Sequence, residues 1–523
     1  MQLDAIMESV VSQRSSGLSA GMLHALLLVL IVLFLALFVF LAWNFGHWRR
    51  RGVWEPYALP LLGSFPNMVW PRRHFLNDMR DLYMQYRSTH SYVGAYLMRA
   101  PKLLLLEPKL INEVLVSAFR CFENNDASRM VDTRKDPFIA CNPFVLDGDE
   151  WRQQRGIFSP LLTSGRIRNA YSNMQRICGR LCDYIDEQSR SGQPFDGTDL
   201  GLRFTSENLL DCVLGIEARS FTDSRLPVAQ HNKEMSEENY RLALSGALNG
   251  LFPRLPRCLR PKIVPPSYER FFGDLVRQSF HLRRCRRQER NDFINHLLDM
   301  QRQHQLTEEQ LTSHAMTFMF DGLDTSSSTI AHCLLLLGRY PECQQQLWLE
   351  LDKATPKDQL LPRFEVLSEL PYLSACLHET LRIYPAGGWA SKTCTEPYTF
   401  HGSHHSSPLQ MLPGDNVMIP IYGLHHDPNY YPEPERFRPE RFLNGGLKRF
   451  QQLGVFLGFG NGPRQCVGIR LGLTQTKAAL AAIVRRYEVH VNVRTLDGIE
   501  LDPYIFVGAH KGGIWLDFKA RSA

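Results

Sequence analysis

The chain has 523 residues, of which 44% are hydrophobic and 21% charged. That length supports one large core or a few ordinary domains, and the balance excludes disordered and fibrous classes. A formal charge of +6 over this length is a mild excess. It excludes the strongly basic footprint of a nucleic-acid binder and fits local basic patches that meet a membrane surface or an acidic partner.

The first strong element is the stretch 22–43, MLHALLLVLIVLFLALFVFLAW, whose one polar interruption is His24. As a helix it reaches across the roughly 30 Å hydrocarbon layer of a bilayer. Arg49, Arg50 and Arg51 follow it closely, whereas Arg14 stands before it against Asp4 and Glu8. Positive charge stays on the cytosolic side, so residues 1–21 are expected in the lumen and everything beyond Arg51 in the cytosol. A cleaved signal peptide would have a shorter apolar region, leading charges and a small-residue cleavage site, and this stretch has none of these. Residues 44–60, basic and then Pro-containing, read as a stiff connector, with a cytosolic body over 61–523.

The body reads mostly as amphipathic helices. Short strand-like runs lie at 92–106, around 417–420 and at 487–491. A Pro- and Arg-rich stretch at 253–266 reads as a loop. The segment 427–459, thick with Pro, Gly, Tyr and Arg, is too long to be irregular without a function. No repeat or composition break marks a second domain. The expected fold is therefore mainly α with small β-sheets at one side, preceded by one N-terminal transmembrane helix. The 12 cysteines show no C-x-x-C pair. Cys178 and Cys182 share a helix face but lack a matching pair, and read as buried helix residues. A disulfide framework does not suit a chain this long with a cytosolic body.

The sharpest motif is Phe459-Gly460-Asn461-Gly462-Pro463-Arg464-Gln465-Cys466-Val467-Gly468, followed by the helical run VGIRLGLTQTKAALAAIVRRY. It resembles the cytochrome P450 family at every fixed position of that family's F-x-x-G-x-R-x-C-x-G signature. The resemblance implies the fold of that family, haem b as cofactor and Cys466 as the iron ligand. A thiolate pushes electron density toward bound oxygen and favours O–O cleavage. Cys466 would sit at a helix N-terminus, where free N–H groups and the dipole favour the thiolate. Gly462 and Gly468 would let the backbone turn tightly beside the macrocycle. Arg464 would meet a haem propionate, and Phe459 would shield the sulfur from water.

Four further segments agree with the resemblance. Glu379-Thr380-Leu381-Arg382 has the family's E-x-x-R form, with both charged groups on one helix face. Two P-E-R-F copies follow, at 434–437 and 439–442. The longer family pattern assigns Arg441 to the lock on Glu379 and Arg382, and Arg436 to the surface. Asp321-Gly322-Leu323-Asp324-Thr325, within a helix expected from about 311 to 339, resembles the oxygen-activation motif. Thr325 would hold dioxygen, Asp324 would relay protons and Gly322 would leave room for dioxygen and a local widening of the helix. Asp321 departs from the family's usual small residue. Trp151 and Arg155 fit the W-x-x-x-R helix and would share one propionate. Lys392 stands ten residues after Arg382, where relatives carry a propionate-directed base; a lysine makes a point contact instead of a fork.

The segment 422–432 looks most like the clan of vertebrate drug-metabolising and insect detoxifying members. His425 and His426 read as structural. The implied reaction is insertion of one oxygen atom from dioxygen into a lipophilic organic substrate (xenobiotic, steroid or fatty-acid-like), at the endoplasmic reticulum membrane. No nucleotide fingerprint is present. Electrons would therefore come from NADPH through a separate flavoprotein reductase, with cytochrome b5 as a further candidate donor. Arg470, Lys477, Lys448 and Arg449 are candidates for a basic patch facing that acidic partner; a plain solvated face is the alternative. The pocket lining is expected at 138–145, 318–325, 386–391 and 505–507. Two rival functions are a peroxide-rearranging isomerase or dehydratase, whose members lack the acid–alcohol pair, and a silent haem carrier.

Overall fold

The computed structural model describes residues 20–222, 227–236, 240–286, 293–404, 407–505 and 507–521. Residues 1–19, with the Asp4, Glu8 and Arg14 used to orient the anchor, lie outside the described residues, as does Phe506 of the expected lining.

The apolar run forms helix α1, Ala20–Ala42. Its side chains stand exposed, and it is the one described helix long and apolar enough to cross a membrane. The connector after it is packed into the body. Trp48 is fully buried, in the space left by Gly94, where an added Cβ would come within 2.6 Å of it. The Glu55 carboxylate accepts from the backbone N–H groups of Gly46 (2.8 Å) and Trp48 (3.1 Å) and from the Tyr96 hydroxyl (2.8 Å). Packing of the folded body thus begins near Trp48, ahead of residue 61. Even the end of α1 touches the body: Arg99 lies over the Phe40 ring at 3.9 Å and Phe252 packs beside it at 5.5 Å.

Seven further helices carry the site: α2 Gly148–Phe158, α3 Gly197–Leu209, α4 Pro227–Ser236, α5 Pro266–Arg286, α6 Glu308–Arg339, α7 Pro371–Ile383 and α8 Ile469–Arg486. The strands are β1 Tyr92–Leu97, β2 Ala100–Leu105, β3 Asn124–Asn125, β4 Phe195–Asp196, β5 Ala390–Thr393, β6 Tyr398–Phe400, β7 Leu409–Met411, β8 Asn416–Ile419, β9 Tyr487–Val491 and β10 Trp515–Ala520. They form a five-stranded sheet of order β1-β2-β8-β5-β3, a three-stranded sheet β4-β10-β9 and the pair β6-β7. In the large sheet Lys392 sits opposite Asn125 on one side and Val417 on the other.

Helix α6 is the axis of the core. It starts at Glu308, a little before the position its apolar periodicity suggests, because Thr307 and Gln310 close a capping box. Helix α3 crosses it closely at Gly201, where a Cβ would stand 2.6 Å from the Ser327 carbonyl. Asn208 of α3 donates to Gln475 of α8, and Gln475 donates to Ser326 of α6, each at 2.7 Å. One buried amide chain thus sets the mutual register of three helices, since none of these groups could be left unpaired cheaply. The segment 427–459 contains one 3-10 turn, Pro439–Phe442, and one short helix, Gly446–Gln452.

Candidate active site

The Cys466 loop is shaped by one glycine. Gly462 has φ +70°, and a Cβ there would come within 1.9 Å of the Leu115 carbonyl. Both the backbone angle and the close approach require glycine. The Asn461 side chain accepts from Gly462 N–H at 2.8 Å, and Cys466 N–H closes the loop on the Phe459 carbonyl at 2.9 Å. Gly468 caps α8 with φ −85°, an ordinary value. An added Cβ there would meet the Cys466 sulfur only at 3.9 Å, an ordinary contact. Protein encloses the Cys466 thiol, yet its side chain is uncovered. It therefore faces an internal space. Burial pushes this thiol up, the Gly468 N–H and Arg155 pull it down, and the charge of Asp321 pushes it up.

Beside the loop two cations lie buried with little to neutralise them. Arg464 is 4% exposed and stacks over Trp151 at 4.3 Å. Its terminal nitrogens donate to the carbonyls of Pro143 (2.9 Å) and Leu146 (2.8 Å), while its Nε has no partner. Asp147 is 4.0 Å away. Burial holds Arg464 down to about 10 and Lys392 down to about 7, the latter also repelled by Arg464. Lys392 donates to the Asn125 side chain at 2.7 Å and lies near the Phe119 ring, which packs on Trp151. Two depressed, buried cations around one distant carboxylate make a site built for an anion. Arg155 donates to the Gln465 carbonyl at 2.8 Å and its charge bears on Cys466.

Helix α6 brings in the opposite side. Asp321 is surrounded by protein on all sides while its side chain is uncovered, so it too faces an internal space, and its charge reaches Cys466. Burial pushes its carboxyl to about 6, against a hydrogen bond from Asn142 Nδ2 at 3.1 Å. Thr325, one turn on, donates its hydroxyl to the Asp321 carbonyl at 2.8 Å. Asp324 lies a quarter-turn away and accepts from Asn232 of α4. The Tyr268 hydroxyl of α5 is buried without a hydrogen-bond partner, under the influence of Asp324 and Asp321. Gly322 also has a packing role. A Cβ on it would meet Leu209 of α3 at 3.1 Å, so its smallness admits α3, and the helix runs as unbroken α-helix past it.

Behind the loop, Glu379 and Arg382 pair fully buried at 2.7 and 2.8 Å. Arg441 Nε joins Glu379 at 3.2 Å, while the Arg436 side chain is exposed. Arg382 also donates to the His425 carbonyl at 3.0 Å, and His425 Nε2 accepts from Leu457 N–H at 2.9 Å. His426 Nδ1 holds the Tyr422 carbonyl at 2.9 Å. His425 thus ties α7 to the irregular segment leading to Cys466. Lys477 is not part of any surface patch. It is buried and donates to the Ser368 carbonyl at 2.7 Å, satisfying a helix C-terminus. Arg470, Lys448 and Arg449 are exposed. Cys178 and Cys182 are fully buried.

The family model described as "Cytochrome P450" matches residues 55–511. The chain is 65% identical over 484 residues to the Drosophila melanogaster protein named "Probable cytochrome P450 28c1", covering 92% of this chain and 96% of that protein. It is 39% identical to "Probable cytochrome P450 28d1" of the same fly, covering 93% and 96% of the two chains. The chain belongs to the cytochrome P450 family. Monooxygenase chemistry and a haem cofactor come with that membership. The residues present fit a haem: one uncovered thiol on a glycine-cut loop, and beside it the buried Arg464 and Lys392 short of an anion. Among the described residues no group of three or more His, Cys, Asp and Glu could hold a bare metal ion. A macrocycle that brings its own nitrogens needs only the single Cys466. Asn232, Tyr268 and Asp147 went unread in the sequence, because each belongs to the site only through a tertiary contact.

Proposed function

We propose that this cytochrome P450 inserts one oxygen atom from dioxygen into a lipophilic substrate, drawing electrons from NADPH through a separate flavoprotein reductase. What supports the reading is the uncovered Cys466 thiol beside the buried Arg464 and Lys392, with the charge of Asp321, one turn before Thr325 on α6, reaching that thiol. Bound at Cys466, haem supplies dioxygen binding and O–O cleavage. Cys466 provides the thiolate, held by Gly468 N–H. Arg464, Lys392, Trp151 and Arg155 would hold the propionates, and Arg155 also donates to the Gln465 carbonyl. Thr325 offers its hydroxyl to the dioxygen side, and Asp324 holds and passes a proton behind it. Phe459 keeps water from the sulfur. The segments 138–145, 318–325 and 386–391, with Ile505 and Val507, line the substrate space.

Helix α1 anchors the chain in the endoplasmic reticulum membrane as a single pass, with Arg49, Arg50 and Arg51 keeping the body in the cytosol. Arg470, Lys448 and Arg449 form the exposed basic face for the acidic reductase or cytochrome b5. Reduction of the membrane-bound protein under carbon monoxide tests the reading. The Soret band is expected at the long-wavelength position of thiolate ligation, and Cys466→Ala should abolish it. Substrate turnover should require NADPH and reductase. Folded protein without that band, or turnover of peroxides with no external electrons, would overturn it.

A further inference from the structure

Asp321 is an enclosed carboxyl with no cation of its own. The buried carboxylates Asp126, Asp211, Glu207, Glu379 and Asp427 each face a Lys or Arg at 2.6–3.1 Å. Asp136 lacks one but accepts the backbone N–H groups of Ile263 and Val264 at 2.9 Å. Asp321 receives only the neutral Asn142 amide on Oδ1, and among the described residues Oδ2 has no partner. It is also uncovered, whereas its helix neighbours Leu323 and Ser326 are buried. Its charge reaches Cys466.

A second polar group waits on the same side. Tyr268 is 2% exposed, its hydroxyl makes no hydrogen bond, and it lies within electrostatic reach of Asp321. Keeping an unpaired carboxyl and an unsatisfied hydroxyl at such a place costs free energy, unless a bound group completes them. The segment holding Asn142 is itself fixed: Arg464 grips the carbonyls of Pro143 and Leu146, just after it. Asp321 is thus aimed by a rigid element and is not free to swing to solvent.

We propose that Asp321 selects substrates bearing a cationic nitrogen, binding the positive group beside Thr325 and so presenting the adjacent carbons to the reactive face. The inference rests on the monooxygenase reading and narrows its substrate class. Lipophilic bodies fit the apolar lining, and the cation supplies the one directional contact.

The test uses the full-length haem protein in phospholipid nanodiscs at mildly alkaline pH. The probes are an arylalkyl trimethylammonium ion and its carbon isostere, in which carbon replaces the charged nitrogen. Neither can ligate iron, so spectral titration of the Soret shift reads binding alone. Wild type should bind the cation about tenfold more tightly than the isostere. Asp321→Asn should erase that preference while changing the isostere's affinity less than about twofold, and Asp321→Glu should restore part of it. Equal binding of the two probes by wild type, or a preference that survives in Asp321→Asn, would overturn the proposal. Absence of the reduced carbon-monoxide band in wild type would instead overturn the monooxygenase reading beneath it.

Discussion

At the scale of single residues, Asp321 ties function to stability. Its folded carboxyl is raised from 3.8 to about 6, mainly by burial. A raised acid binds its proton more tightly in the folded state than in the unfolded one. Folding stability therefore falls as pH rises from 3.8 through about 6 and then levels off. Asp321→Asn removes the titration and keeps an oxygen for Asn142. The variant should melt higher than wild type above this window, with the difference closing at lower pH. Thermal denaturation followed by circular dichroism across the range checks this, and a constant difference would refute it. The departure of Asp321 from the family's small residue was legible in the sequence. Its meaning was not, because a carboxyl's worth depends on whether a cation faces it, and that is a tertiary matter.

At the scale of elements, the Cys466 loop and the α3–α6 crossing show two uses of glycine. Gly462 combines φ +70° with a Cβ position 1.9 Å from the Leu115 carbonyl. Gly462→Ala should cost about 3 kcal/mol or more, from left-handed strain and backbone overlap together. Loss of the thiolate Soret band and a lowered Tm would be the joint readout; unchanged haem content would count against it. Gly322, in contrast, makes room for Leu209 of α3, and the helix there runs as unbroken α-helix without the expected widening. The motif marks where a small residue is needed but not which neighbour needs it, since helix periodicity gives a face and not its occupant. Lys477 shows the same limit. Its spacing from Cys466 suggested a surface charge, and only the approach of the helix Phe364–Glu369 turned it inward.

At the scale of the whole molecule, anchor and body are continuous. Trp48 is fully buried against the site of Gly94, and Glu55 gathers four donors around it, the N–H groups of Gly46, Trp48 and Arg49 and the Tyr96 hydroxyl. Trp48→Ala should destabilise the body by about 3–5 kcal/mol, read as a fall in urea midpoint. Removing residues 1–39 should release the protein from membranes and leave that midpoint nearly unchanged. Equal effects of the two changes would contradict a body that begins at Trp48. The sequence by itself determined the apolar span, the Cys466 loop, the Glu379–Arg382 pair and the choice of Arg441 over Arg436. The first three are local, resting on residue type at short spacing, where geometry follows from the helix or turn; the choice of Arg441 came from the resemblance to the family's longer pattern. Tertiary structure alone decided that Arg155 serves the Gln465 carbonyl, that Lys392 and Arg464 share one anion-seeking corner, that Lys477 is buried and that Asp321 faces Cys466 without a cation. Those outcomes depend on which distant segments desolvate or neutralise a charge, and chain spacing carries no record of that.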